Sequence, residues 1–316
     1  MTTYILRRLL LMIPTLFFVT TLVFLIPRLL PGDVVETIIG QYTPLTAGDR
    51  AKIKHDLGLD RPWYQQYGDF VLGAVRGDLG NSLQYQHPVT KDLKQRIPVS
   101  AELGIMALVI GVVIAVPVGV LAAIRQDSII DYVTRSSAIA LIAIPSFWLG
   151  TMVVVYPNVW WQWALPTQYH SFFSDPRQNL YMMIFPAAIL GIGLSGAIMR
   201  LTRAEMLEVL RQDYVRTAWS KGLRERTVVL RHALRNTLIP VTTLIALQIP
   251  VVVGGTVVLE GIFSIPGMGA YLVTAANAKD YPVIQAVTLL IALVVVFTNL
   301  AVDVAYAYLD PRIRYR

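Results

Sequence analysis

We expect an all-α membrane protein with six transmembrane helices and an extracytoplasmic insert between the first two. The 316 residues are 55% hydrophobic and 15% charged, against usual shares of roughly 45–50% and about 25% in soluble domains. With a mean hydropathy of +0.57, so much apolar surface cannot all be buried in one soluble core. Disordered, collagen-like and disulfide-stabilised classes are excluded, because aliphatic residues are abundant, glycine is 21 of 316 and cysteine is absent.

Six segments are long and apolar enough to cross a bilayer core about 30 Å thick, which takes about 20 helical residues. They lie near 9–30, 100–124, 133–157, 180–200, 238–260 and 283–308. Arg7 and Arg8 precede the first segment as they would in a secretion signal. That apolar run is longer than the roughly 7–15 residues of a signal, so we interpret it as a retained helix.

Prolines and small residues within the spans predict kinks and close helix packing. Pro145 and Pro250 are two of the prolines expected to kink a span. Gly111, Ala115, Gly119 and Ala123 recur every four residues in the second span. That spacing lets another helix backbone approach closely.

The distribution of Lys and Arg predicts that both termini are cytoplasmic. Sixteen basic residues fall in the inner segments of this arrangement, whereas the two short outer loops hold only Arg177 and Lys279. The chain then divides into an N-terminus with the first helix (1–31), an extracytoplasmic insert (32–99) and a five-helix core (100–316). The insert contains helix-like stretches near 44–59 and 61–75, so we expect a small folded cap.

Motifs for catalysis and cofactor binding are missing or misplaced. The string GIGLSG at 191–196 matches a dinucleotide fingerprint, but it lies inside a hydrophobic span and Arg211 stands where an acidic residue is needed. No GxxxxGK[ST], HExxH or GxSxG occurs, and the four histidines are far apart in sequence. We therefore predict no enzyme, no cofactor and no metal site. The net charge of +7 resides in inner loops, which does not indicate a nucleic-acid partner.

The cytoplasmic loop 200–237 is the most informative segment. Leu207, Leu210, Tyr214 and Ala218 recur at helical spacing, which predicts an amphipathic helix that ends at Lys221-Gly222. We expect a second short helix over about 224–234, then Asn236 as the cap of the fifth span and Pro240 in its first turn. Such a loop exceeds what a connector needs and predicts a docking surface; the alternative is a basic loop on anionic lipid headgroups.

The same loop carries a family resemblance. DYVRTAWSKGL at 213–223 and RHALRNTLIP at 231–240 resemble the EAA loop of ABC importer permeases, in particular the branch for dipeptides, oligopeptides and nickel. LPGD at 30–33, IPSFWLG at 144–150 and GIFSIPGMGAYL at 261–272 are similar to that branch in the same order. Arg216 and Thr217 replace the eponymous glutamate and first alanine, as is usual in this branch.

The resemblance implies a type I ABC importer permease fold in the cell (inner) membrane. It implies that the short helix near residue 222 couples to a separate ATPase subunit, which binds the ATP and Mg. The expected partners are two ABC ATPase subunits, a second homologous permease in a heterodimer, an extracytoplasmic substrate-binding protein, membrane lipid and a peptide. The residues expected to contact the ATPase are Arg216, Ala218, Lys221, Gly222, Leu223 and Arg226, with Ala218 and Gly222 packing closely against it.

Polar groups that are costly to expose to lipid are candidates for lining the translocation path. They are Ser146, Thr242, Thr243, Gln248 and Asn299, with Trp148 as a stacking face. Each is also explained as a helix-to-helix contact. The turn-rich SIPGMG string predicts an outer gate, formed by Glu260, Phe263, Pro266 and Gly267.

Three alternatives remain open at this point. The same machinery could carry nickel or another small solute. A channel or secondary carrier would favour inverted repeats and ionisable residues deep in the spans, and an intramembrane hydrolase would need paired aspartates or a serine–histidine dyad there. The spans offer almost no deep charges and no histidine, which favours an ATP-driven permease.

Overall fold

The computed structural model describes residues 2–29, 48, 55, 60–166 and 168–309. These ranges form helices and no strand. In chain order they are α1 (Thr2–Leu29), α2 (Trp63–Arg76), α3 (Val89–Ile124), α4 (Ile129–Ala143), α5 (Ser146–Trp161), α6 (Pro176–Leu210), α7 (Asp213–Ser220), α8 (Glu225–Leu247), α9 (Ile249–Ile262), α10 (Met268–Asn277) and α11 (Tyr281–Leu309). The LPGD match at 30–33 and most of the helix expected near 44–59 lie outside the described residues.

Four helices are each long and apolar enough to cross a membrane: Leu6–Leu25, Val89–Ile124, Pro176–Leu210 and Tyr281–Val304. Two further pairs pass the same test together, α4 with α5 at a bend of 86° and α8 with α9 at a bend of 43°. If each bent pair is one span, the described part of the chain has the six spans that the sequence predicts. The all-α prediction is confirmed.

The 86° bend in the third span is much sharper than the kink expected from Pro145. Steric contact with a proline ring forces the preceding residue towards extended backbone, and Ile144 has φ −81° and ψ 120°. Pro145 is itself extended, with φ −65° and ψ 130°. Two consecutive extended residues end α4 and start α5 in a new direction, so the span is broken where a single kinked helix was expected.

The small residues of α3 pack against α6 as their spacing predicts. A Cβ atom on Gly111 would lie 2.9 Å from the carbonyl oxygen of Gly191, and one on Gly119 would lie 2.8 Å from that of Met199. Carbonyl oxygens of one helix thus occupy the space of missing side chains on the other. The GIGLSG string lies in the interior of α6, as its rejection as a nucleotide site requires.

The chain folds into two compact units. The first comprises Met1–Pro98 and Pro266–Leu300. Its core contains residues of α3, α10 and α11, including Leu93, Tyr271 and Val287. The buried carboxylate of Asp280 accepts a hydrogen bond from Ser82 Oγ at 2.5 Å and from two backbone N–H groups, at 3.1 and 3.3 Å. This part of the insert that the sequence predicts between the first two spans is therefore ordered, and α2 confirms one of its expected helices.

The second unit comprises Val99–Ile265 and Ala301–Arg316. Its largest core cluster joins buried residues of α3, α6 and α9, including Leu103, Met183 and Leu259. A smaller cluster connects the C-terminal end of α6 to α8 through Met206, Val229 and Ala233. This unit contains the whole loop 200–237, so its packing decides how that loop is presented.

Candidate coupling surface, path and gate

Helix α7 is a separate short helix, whereas the sequence predicts that Leu207 and Ala218 lie on one amphipathic helix that ends at Lys221-Gly222. The backbone leaves the helix at Arg211, and Gln212 is extended with φ −70° and ψ 146°. Asp213 then stands in the first turn of α7, where a carboxylate interacts favourably with the helix dipole. The hydrophobic period continues across the break, so periodicity alone does not reveal it.

Gly222 forms the turn that ends α7, as the sequence predicts. Its φ is +72°, a conformation that favours glycine. The Leu223 N–H donates to the Ala218 carbonyl at 3.4 Å and the Gly222 N–H donates to the Trp219 carbonyl at 2.9 Å. This pair of bonds is a Schellman motif. It fixes the direction in which the chain leaves α7.

One face of α7 is held by the chain itself. Val215 and Ala218 are buried against Val228 at the start of α8. Ala218 is only 6% exposed, so its methyl group is not available to an ATPase, and the expectation of a direct contact is corrected. Ala218 instead packs α7 against α8 within the chain. The Asn236 Nδ2 donates a 2.7 Å hydrogen bond to the Tyr214 hydroxyl and ties α7 to α8 a second time.

The opposite face of α7 and its turn is exposed and cationic. Arg216, Lys221, Leu223 and Arg226 are all exposed, as is Gly222. Arg216 approaches the Asp213 carboxylate at 3.8 Å, and both side chains are largely solvent-exposed, so this pair contributes little stability. The described residues thus present a cationic surface around an apolar Leu223, which we call the coupling surface.

Helix α8 replaces the separate short helix expected over 224–234. It runs from Glu225 into the fifth span without interruption, with Val228–Ala233 in the wider π conformation. Asn236 and Pro240 lie inside this helix and not at its cap and first turn. The prediction failed because Asn236 also serves a mid-helix role: its amide reaches Tyr214 and the His232 carbonyl.

Three of the path candidates in the second unit lie at or near the two helix breaks. Ser146 begins α5 and is partly exposed, and Trp148 is exposed two residues later. Gln248 is partly exposed at the break between α8 and α9. Thr242 is exposed, with its hydroxyl donating to the Ile239 carbonyl at 2.9 Å, whereas Thr243 is buried. Asn299 is exposed on α11 in the first unit.

The gate candidates divide between the units. Glu260 and Phe263 belong to the second unit and are buried, Glu260 at 0% exposure. The turn after α9 has Ser264 at φ +55°, with the Ile265 N–H donating to the Glu260 carbonyl at 2.9 Å. Pro266 and Gly267 belong to the first unit, where Gly267 precedes α10. The predicted turn is present, and Glu260 is buried within the second unit.

Three carboxylate contacts were not predicted, two of them at the buried residues Asp131 and Asp280. Asp280 holds the 82–84 loop, the Tyr169 hydroxyl donates to Glu102 Oε2 at 2.9 Å, and Arg203 pairs with Asp131. Burial and this bond to Glu102 raise the pKa of Tyr169 to about 12. Only Asp131 carried a local signal, because Ser128-x-x-Asp131 matches a capping box. Within the described ranges no three His, Asp or Glu side chains gather as a metal site would require.

Comparisons with known proteins cover the full chain. Residues 115–315 match the family model described as binding-protein-dependent transport system inner membrane component, and residues 1–104 match the N-terminal model of the same systems. The dipeptide transport system permease protein DppB of Escherichia coli K12 is 36% identical over 336 residues, covering 99% of each chain.

DppB of Alkalihalophilus pseudofirmus is also 36% identical over 336 residues, covering 100% of each chain. Among solved structures, an amino acid ABC transporter aligns with 71% of this chain and 94% of its own at 13% identity, with a TM-score of 0.48.

Proposed function

This chain belongs to the family of binding-protein-dependent transport system inner membrane components, and from that premise we propose that it is a permease subunit of an ATP-driven importer of di- or oligopeptides. The full-length relatives are dipeptide transport permeases, which supports the peptide as substrate class. The chain forms half of the translocation path and sits in the inner membrane with both termini in the cytoplasm. A second, homologous permease supplies the other half.

The coupling surface is the single observation that carries this proposal. Arg216 projects from α7, whose other face is buried in the chain, and Lys221 and Arg226 follow in the adjoining turn and at the start of α8. A force applied to α7 is therefore transmitted to α6 and α8. Two ATPase subunits bind ATP and Mg and hydrolyse the nucleotide, because the chain has no phosphate-binding loop. An extracytoplasmic binding protein delivers the peptide from the opposite side.

The polar residues at the two helix breaks line the path in this proposal. Ser146 and Gln248 lie where the α4–α5 and α8–α9 pairs bend, and irregular backbone is tolerated at membrane depth where it lines a cavity. Trp148 and Thr242 add exposed faces for a peptide backbone. The turn from Phe263 to Gly267 acts as the outer gate, with Glu260 buried beneath it as a support.

Charge reversal on the coupling surface tests the proposal. Arg216→Glu, Lys221→Glu and Arg226→Glu are each expected to weaken ATPase association by about tenfold or more, since like charges then face the docking partner. The control is Arg177→Glu, the same change at an exposed residue on the predicted outer side, which should leave association unchanged. Co-purified ATPase and peptide uptake in proteoliposomes are measured together. Equal association for all four variants would refute the docking role.

A further inference from the structure

An ion pair with a buried carboxylate joins α4 to α6. Asp131 is 0% exposed, and its carboxylate accepts two hydrogen bonds from one guanidinium, from Arg203 Nε at 2.5 Å and from Nη2 at 2.6 Å. The Asp127 N–H donates a third hydrogen bond at 3.0 Å. The two residues are 72 positions apart in sequence, so the pair fixes one helix against another rather than closing a local turn.

The bidentate geometry holds α4 in one orientation on α6. A planar guanidinium that donates twice to one carboxylate restricts both distance and rotation, which a single lysine bond does not. The same helices meet again farther along, where a Cβ atom on Gly196 would lie 2.6 Å from the Ala138 carbonyl oxygen. Two separate points of contact are enough to prevent one helix from rolling on the other.

Helix α6 connects this pair directly to the coupling surface. Arg203 lies two turns before the end of α6 at Leu210, and α7 begins at Asp213. Val209 and Leu210 pack against the cluster that holds α7. A displacement of α7 therefore reaches Arg203 through one continuous helix, and α4 leads directly into the break at Ile144-Pro145 that precedes α5.

We propose that Asp131 and Arg203 are positioning residues that make α4 follow α6 when the motor displaces the coupling surface. The inference rests on the proposed function and adds a route by which the movement reaches the bent third span. A buried ion pair adds little net stability over well-packed apolar residues, so the role proposed for this pair is to set the register of α4 on α6. Neither residue touches substrate or nucleotide in this account.

Spin labels provide the local readout. The chain contains no cysteine, so Val133→Cys on α4 and Ala204→Cys on α6, both at exposed positions, introduce two labelling sites without removing any. With cysteine-free partners, we expect the same label-to-label distance in the nucleotide-free and the ATP-trapped complex. Asp131→Asn, added to the two cysteine substitutions, should broaden the distribution of label-to-label distances in the isolated chain. In the complex, this variant should show a different distance in the nucleotide-free and the ATP-trapped state.

Transport per ATP hydrolysed is the functional readout. Energetic coupling between sites usually amounts to about 5–150-fold, so Asp131→Asn and Arg203→Gln are expected to lower the ratio about tenfold while ATPase still co-purifies. Arg203→Lys keeps the charge but cannot donate two hydrogen bonds from one planar group. Its transport-to-hydrolysis ratio should therefore fall between the ratios of the parent and of Arg203→Gln. Arg135→Gln removes an exposed arginine from α4, the helix that carries Asp131. Its transport-to-hydrolysis ratio should match that of the parent. If Asp131→Asn does not fold, Arg203→Lys decides the question.

Two results would overturn the inference. One is a parent label distance that changes when ATP is trapped, because α4 then moves independently of α6. The other is a transport-to-hydrolysis ratio within twofold of the parent in the charge-removal variants. Loss of ATPase co-purification in the parent complex would instead contradict the proposed function, while the label distribution in the isolated chain would still decide whether the pair fixes α4 on α6.

Discussion

Substitution of Gly222 separates the shape of the coupling turn from its surface. Gly222 has φ +72°, and a Cβ atom added there meets no heavy atom within 4 Å. Gly222→Ala therefore adds no steric clash, and its cost is that of a left-handed L-residue, about 1–2 kcal/mol. At 1.4 kcal/mol per factor of ten, this corresponds to roughly 5–30-fold in the population of the correct turn. Gly222→Val should cost more, because β-branched residues are unfavourable at positive φ.

Gly222→Asn is the matched control, since asparagine adopts positive φ far more readily than other non-glycine residues. Peptide-stimulated ATP hydrolysis by the reconstituted complex should fall in the order Gly, Asn, Ala, Val. Gly222→Trp adds bulk on the exposed surface as well, and should abolish stimulation while the chain still inserts into membranes. Full stimulation with Gly222→Val, or an asparagine variant as defective as the valine one, would refute the role of the turn.

Three further predictions concern the structure that supports the site. Gly191→Ala should destabilise the chain by about 1–3 kcal/mol in thermal unfolding, because its Cβ would lie 2.5 Å from the Ala107 carbonyl oxygen. Gly193→Ala on the same helix is the control: its Cβ meets nothing within 4 Å, so this change should be neutral. Asp280→Asn should weaken the three hydrogen bonds that its carboxylate accepts, lower stability by about 1–3 kcal/mol, and speed proteolysis of the 82–86 loop; unchanged cleavage would contradict this. The pKa of Tyr169 is raised to about 12 from an ordinary value of 10.0. Its contribution to the free energy of unfolding should therefore be complete below about pH 10 and be lost as the pH rises towards 12. Tyr169→Phe should flatten that decline, and an unchanged dependence of stability on pH above 10 would refute the assignment.

The sequence predicts the spans and the Gly222 turn because both signals are local. Long apolar runs identify α3, α6 and α11, and a lysine followed by glycine identifies the end of α7. The break at Arg211-Gln212 was missed because Tyr214 and Ala218 continue the apolar period of α6. The two residues outside the helix barely disturb the spacing of the apolar positions. Only the backbone conformation at Arg211 and Gln212 therefore reveals that α7 is a separate helix.

Side-chain partners were the least predictable part of the site. Ala218 fits a docking face by family resemblance, but the structure turns it inward because Val228, ten residues later, occupies the opposing side. Asp131 and Arg203 are 72 residues apart, and the sequence around either residue does not predict that the other is its partner. Packing between distant segments decides such contacts, and a single sequence carries no direct record of it.

Protection of the coupling surface by the ATPase tests the central claim most directly. Ser220→Cys introduces the only cysteine of the chain at an exposed position on α7, and Phe173→Cys does so at a residue that is 96% exposed on the predicted outer side. An impermeant maleimide should label the first only from the cytoplasmic face, and bound ATPase should abolish that labelling without affecting the second. Labelling of Ser220→Cys from the outer face, or at the same rate with and without the ATPase, would contradict the account.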